Sequence, residues 1–181
     1  MGSFTTITEP TDEPITLDEA KEALRIDIDD EDQRIWGIIR AARMFAEDYL
    51  SQKIMSQVVE LNLDRWPASE FGLGIFPIIS VDTVSYEDTA SPVATQTLTA
   101  NTDYYADIKT TEGRLRTITG WPSVAVKPNA IKIRMTVGYA DQDSVPDQIK
   151  EGVKAYCAYI YDSDECMKGI AERLLWSARI M

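Results

Sequence analysis

The chain has 181 residues, 44% of them apolar and 27% charged, and its 30 acidic against 18 basic side chains leave a formal charge of -12. That length supports one domain, or one domain with a sizeable insertion, around a real core. The charge disfavours a surface that holds nucleic-acid phosphates or anionic lipid. The absence of histidine removes every Ser-His, Cys-His and His-metal arrangement.

Residues 1–14 are polar, contain Pro10 and Pro14, and read as a flexible arm. The opening "MGSFTTITEP" lacks the basic and apolar regions of a signal peptide. It fits the Met-Gly-x-x-x-Thr myristoylation pattern through Gly2 and Thr6, but no basic patch follows to supply a second anchor. "ITLDEA" is a capping box, Thr16 at the N-cap and Glu19 three residues on, and Leu17, Ala20, Ala23 and Leu24 give a short helix one apolar face.

"LRIDIDDEDQRIW" then packs Asp27, Asp29, Asp30, Glu31 and Asp32 into six positions. Asp30 suits an N-cap with Gln33 reaching back, and Asp29, Glu31 and Asp32 sit where a helix dipole favours anions by ~0.3–1 kcal/mol each. Ile35, Ile38, Ile39, Ala42, Phe45, Ala46 and Tyr49 recur at helical spacing, so a helix is expected over 31–50, on the order of 30 Å long. A calcium loop starting at Asp27 needs Gly at its sixth position and Glu at its twelfth; this chain has Asp32 and Ile38 there.

From 55 to 143 the pattern becomes that of strands. "QVVELNL", "ISVDTVSY", "TDYYADI", "GRLRTI" and "AIKIRMTVGY" are short and rich in Val, Ile, Thr and Tyr, punctuated by Pro and Gly, and imply an antiparallel sheet or small sandwich. Helix returns at "SVPDQIKEGVKAYCAYIYD", with Pro146 in the first turn and Ile149, Val153, Tyr156 and Ile160 in one stripe. A last helical segment places Met167, Ile170, Ala171, Leu174, Leu175 and Ala178 on one side. The fold expected is α+β: a helical part from 15–54 and 144–181 that packs together, carrying a β insertion over 55–143.

Chemistry is sparse. Gly72-Leu73-Gly74 lacks the Lys-Ser/Thr ending of a phosphate loop, and no Gly-x-Ser-x-Gly elbow exists. Glu87 with Asp88, and Asp141 with Asp143, have the residue types of a glycosidase pair but sit beside turn formers. Trp66, Trp121, Tyr86, Tyr104 and Tyr105 could stack on a sugar; the alternative is that the two Trp-Pro pairs seal sheet edges against the core. Neither a catalytic centre, a metal nor a cofactor is expected. Cys157 and Cys166 read as reduced thiols of a cytoplasmic setting. The closing "GIAERLLWSARIM" is rich in apolar residues: Leu174, Leu175, Trp176, Ile180 and Met181 either complete the core or dock into a partner.

Five stretches in order, "ITLDEAKEALRIDIDDEDQRIWGIIRAARMFAEDYL", "LNLDRWP", "FPIISVDTVSYED", "DYYADIKTTEGRLRTITGWP" and "AIKIRMTVGYADQDSVPDQIKEGVKAYCAYIYDS", resemble the head–tail connector (adaptor) proteins of long-tailed bacteriophages, in the branch with a β insertion. Leu50-Ser51-Gln52-Lys53 departs from the Thr-Gly-Arg-like turn that relatives often carry after the long helix. The resemblance implies a structural virion protein without catalysis. Such a protein forms a homo-oligomeric ring, commonly of twelve, under the portal protein. The ring extends the DNA channel without specific DNA binding or membrane contact and presents a platform to the next neck or tail protein. It implies assembly in the host cytoplasm and residence in the virion neck, with Leu174, Leu175, Trp176 and Arg179 as the portal-docking residues. A stopper or tail-completion protein, and a carbohydrate-binding β module, are the alternatives.

Overall fold

The computed structural model describes residues 2–110 and 112–179. The chain folds as two compact units: a helical unit of Pro10–Ser56 with the chain from Tyr139 onward, and a β unit of Gln57–Gly138 with the residues before Pro10. The architecture is the expected α+β.

In the helical unit, α1 (Leu17–Leu24) starts at the capping box read from the sequence: Thr16 Oγ1 accepts from Glu19 N at 3.1 Å and Glu19 Oε2 accepts from Thr16 N at 2.8 Å. α2 (Asp32–Leu50) follows, and Ile35, Ile38, Ile39, Ala42, Ala46 and Leu50 are buried at the spacing of one helical face. α3 (Asp147–Asp162) starts at Pro146 and buries Ile149, Val153 and Cys157; α4 (Glu165–Ala178) starts at Asp164, whose carboxylate accepts from Cys166 N, and buries Ala171 and Leu175. Apart from Ala171, these side chains form one core with Ile15, Ile54, Met55 and Val145.

Two details of this unit differ from expectation. Asp30 does not cap α2: Glu31 occupies the N-cap position and makes no side-chain cap bond. The acids are instead fixed from outside the helix. Lys21 Nζ lies 2.7 Å from Asp29 and 2.5 Å from Asp32, and Glu31 accepts a 2.6 Å bond from the Tyr161 hydroxyl. In α4 Ala171 and Leu175 are buried and Ala178 is partly buried against the helical core, while Ile170 is 40% exposed. Positions 170 and 174 are therefore displaced from the inward face.

In the β unit, β1 (Ser3–Thr8), β2 (Gln57–Leu63), β8 (Ile131–Val137), β4 (Ile78–Glu87) and β5 (Thr95–Leu98) pair antiparallel in that order. A second sheet holds β3 (Glu70–Gly72), β7 (Arg114–Thr117) and β6 (Tyr104–Asp107). Val59, Leu61, Val84, Ile131, Ile133 and Met135 from the first and Tyr104 and Leu115 from the second share one core. β8 shows the pattern clearly, with alternate residues of IKIRMTV buried. The expectation of a flexible arm over 1–14 is corrected: Ser3–Thr8 form a strand that pairs with β2. Its Thr, Phe and Ile residues suit a strand, and its backbone pairs along one side with β2. Gly113, at φ +54, lets the turn before β7 close; a Cβ there would meet Ile78 Cδ1 at 2.3 Å.

Candidate functional site

α4 and its C-cap residue carry the four residues read as docking groups, and the turn of the helix separates them. Leu175 is fully buried in the core of its own unit, against Gly152 of α3. It holds the helix in place and offers nothing to a partner. Leu174 is half-buried, whereas Trp176 is 60% exposed. The Arg179 guanidinium lies 5.7 Å from the centre of the Trp176 ring, and the N–H of Arg179 bonds Trp176 O at 3.3 Å. The surface set is thus Leu174, Trp176 and Arg179, an aromatic ring backed by a cation, the pairing enriched at interface anchors. Ile180 and Met181, the remaining apolar residues of that segment, lie outside the described residues.

Deeper in the helical unit lies a charge network that composition alone does not announce. Arg43, 4% exposed, donates through Nε to Glu13 at 2.7 Å and through Nη1 to Glu47 at 3.2 Å. Glu47 also accepts from Lys53 Nζ at 3.0 Å and from Ile54 N at 3.1 Å. Every charge has a partner, as a buried cluster requires. The i,i+4 spacing of Arg43 and Glu47 was legible in the sequence; the approach of Glu13, thirty residues away, was not. A cleft of about 670 Å³ lies nearby, lined among others by Asp12, Asp18, Trp36, Arg40 and Asp141. No group of three or more metal-ligating side chains occurs among the described residues, and no described helix is long and apolar enough to cross a membrane.

The carboxylate pairs belong to turns. Asp88 accepts from Ala94 N, Gln96 Nε2 and Ala90 N at 3.0, 2.9 and 3.1 Å, which holds its pKa below the ordinary carboxylate value. Asp141 bonds Ser144, which likewise lowers its pKa. A general acid needs the opposite shift.

The tryptophans hold each other. Trp66 and Trp121 stack with centroids 4.3 Å apart, Trp66 Nε1 donates to Pro122 O at 3.0 Å, and Trp121 Nε1 donates to Ala68 O at 2.7 Å. Each ring gives a face to the other and its N–H to backbone, and both pack against the core of the β unit.

Three comparisons place this geometry among known proteins. Residues 14–71 match the model of the phage gp6-like head-tail connector protein family. That segment spans α1, α2 and β2, with all of β3 but its last residue, and the family is of the class that the ordered motifs resemble. By sequence, no curated protein matches the chain. Among solved structures, the fold is similar over nearly its whole length to chains of gene transfer agent (GTA) particles. One is in the neck of the empty particle, computed with C6 symmetry, at a TM-score of 0.80 and 18% identity, covering 99% of this chain and 96% of that one. A second, in the virion of the native particle, gives 0.82 and 18%, covering 98% and 95%. A third, in the neck of the native particle computed with C12 symmetry, gives 0.72 and 15%, covering 95% and 94%. The connector match over 14–71 and the neck-protein fold together support a structural connector protein.

Proposed function

We propose that the chain is the adaptor subunit of a phage-like neck, a ring of twelve copies in the virion that sits beneath the portal, extends the DNA channel and carries the next neck or tail protein. The connector match over α1, α2 and β2 carries this reading. The particle necks that share the fold were computed with sixfold and twelvefold symmetry, which favours a ring. Leu174, Trp176 and Arg179 on α4 form the portal-docking face. A single contact of that size is weak, but symmetric repetition raises the effective concentration of each neighbour once one copy has docked. The formal charge of -12 suits a channel through which DNA slides without being held. The subunit works by shape and charge, with no catalytic step, and assembles in the host cytoplasm before it becomes part of the virion.

Mixing the purified protein with portal rings of the same genome and weighing the complex tests this directly. A mass increase of one subunit per portal chain is expected; portal mass that stays constant across concentration overturns the portal-proximal role and points to a stopper or tail-completion protein. Trp176→Ala with Arg179→Ala should weaken the association at least tenfold and leave the fold intact, since both side chains are exposed. Undiminished binding by that variant removes α4 as the docking face.

A further inference from the structure

The two edges of the five-stranded sheet are unlike the edges of the other sheet. β1 (SFTTIT) is exposed along all six residues, and Thr95, Gln96 and Thr97 of β5 (TQTL) are exposed as well. Neither strand holds a charged residue, in a chain where 27% of residues are charged. The three-stranded sheet, by contrast, has Glu70 on edge strand β3 and Asp107 on edge strand β6, both bonded to Arg114 of the central strand. Charged groups on an edge oppose pairing with another chain, and their absence leaves it open. Among the described residues, the strand pairings of β1 run only to β2 and those of β5 only to β4, so each strand has an outer row of backbone groups without a strand partner.

We infer that β5 of one copy pairs with β1 of the next, joining the five-stranded sheets of neighbouring subunits into one continuous ladder. The inference rests on the ring reading proposed above. A ring closes through two different surfaces repeated head to tail, and the opposite edges of one sheet are such a pair. Four antiparallel steps separate β1 from β5, so the two strands run in the same direction. The small rotation between neighbours in a many-membered ring preserves that direction, and the junction is therefore parallel. An isologous dimer would instead pair β1 with β1.

The side-chain faces fix the register to within an even shift. Phe4 and Thr6 lie opposite Leu61 and Val59, on the core face of the sheet. Gln96 and Leu98 lie opposite Tyr86 and Val84, on the same face. Aligning Ser3–Thr6 with Thr95–Leu98 places Phe4 beside Gln96 and diagonal to Leu98, and Thr5 beside Thr97. This covers the Phe4 ring, which is 44% exposed in the single subunit. The bulge between Thr6 and Thr8 ends the regular run at four residues, the length of β5.

The test uses full-length protein with Thr5→Cys, Thr97→Cys and Cys166→Ser, assembled on portal rings, weighed, and then treated with a short bismaleimide. A denaturing gel ladder of dimer, trimer and larger species is expected, with none when Tyr105→Cys on β6 replaces Thr97→Cys. Rings of full mass without a ladder overturn the junction and leave the ring reading intact; absence of rings from wild-type protein overturns both. A charge test needs no crosslinking. Thr5→Lys with Thr97→Lys should lower ring yield at least tenfold, and Thr5→Glu with Thr97→Lys should restore it. Equal yields from the two pairs also overturn the junction.

Discussion

Gly152 of α3 faces Leu175 of α4, so closely that a Cβ at position 152 would stand 2.8 Å from Leu175 Cδ2 and 2.9 Å from its Cγ. Both residues lie inside the helical core. The contact explains why a glycine interrupts an otherwise good helix: it brings α3 and α4 within reach of a leucine. Gly152→Ala should therefore destabilise by about 1–3 kcal/mol through overpacking, despite the better helix propensity of alanine. Leu175→Ala should cost about 2–5 kcal/mol through lost burial. Gly37 and Gly169, around which no atom lies within 4 Å of an added Cβ, should respond in the opposite sense, gaining ~0.5–1 kcal/mol as alanine. Urea unfolding of the four variants checks all of this.

Arg43 should be the most sensitive charged residue. Arg43→Met removes the guanidinium shared by Glu13 and Glu47, whose side chains are 12% and 5% exposed; Glu47 keeps Lys53 and Ile54 N, and the loss of the buried cation should cost on the order of 3 kcal/mol. Combining Arg43→Met with Glu13→Gln and Glu47→Gln should recover part of that loss. A triple variant less stable than Arg43→Met alone would show that the carboxylates matter for more than the pair with Arg43.

Asp88 ties the β4–β5 turn through backbone N–H groups of Ala94 and Ala90 and the Gln96 amide, and its pKa is lowered in the folded protein. A lowered folded pKa contributes stability that is present above the unfolded carboxylate value, near 3.8, and is lost as pH falls through the folded value. Asp88→Asn should consequently be less stable than the parent at neutral pH, and the gap should close in acid. A gap that is the same at pH 7 and in strong acid refutes the linkage.

Three helices end on a residue other than glycine in the left-handed region: Arg25 at φ 57, Ser51 at φ 57 and Ser163 at φ 58. L-residues pay roughly 1–2 kcal/mol there. Ser51→Gly and Ser163→Gly should each stabilise by about 0.5–1 kcal/mol after the entropy cost of glycine, raising Tm by a few degrees.

The sheet edges show where sequence reading falls short. β1, β3 and β5 are missing from the expected strands because each is three to six residues long and lacks a buried alternate row; they exist only because a longer strand offers hydrogen bonds. The Asp30 cap fails for a related reason. Local rules weigh a residue against its own helix, whereas Lys21 and Tyr161 reach the acidic cluster from α1 and α3.

By itself the sequence determined what periodicity and local chemistry can carry. The capping box at Thr16 and Glu19, the buried stripe of α2 and the alternation of β8 were legible, since each depends on neighbours within a few residues; the connector-like order of motifs was legible as an ordered set along the chain. Tertiary structure decided which apolar residues are spent on the fold. It buried Leu175 under α3 and left Trp176 outside, although the two are adjacent in the chain, because a helix turns successive side chains by about 100 degrees and only packing selects the angle that faces inward. It brought Glu13 to Arg43 and laid β1 on β2, contacts whose long sequence separation no local pattern encodes.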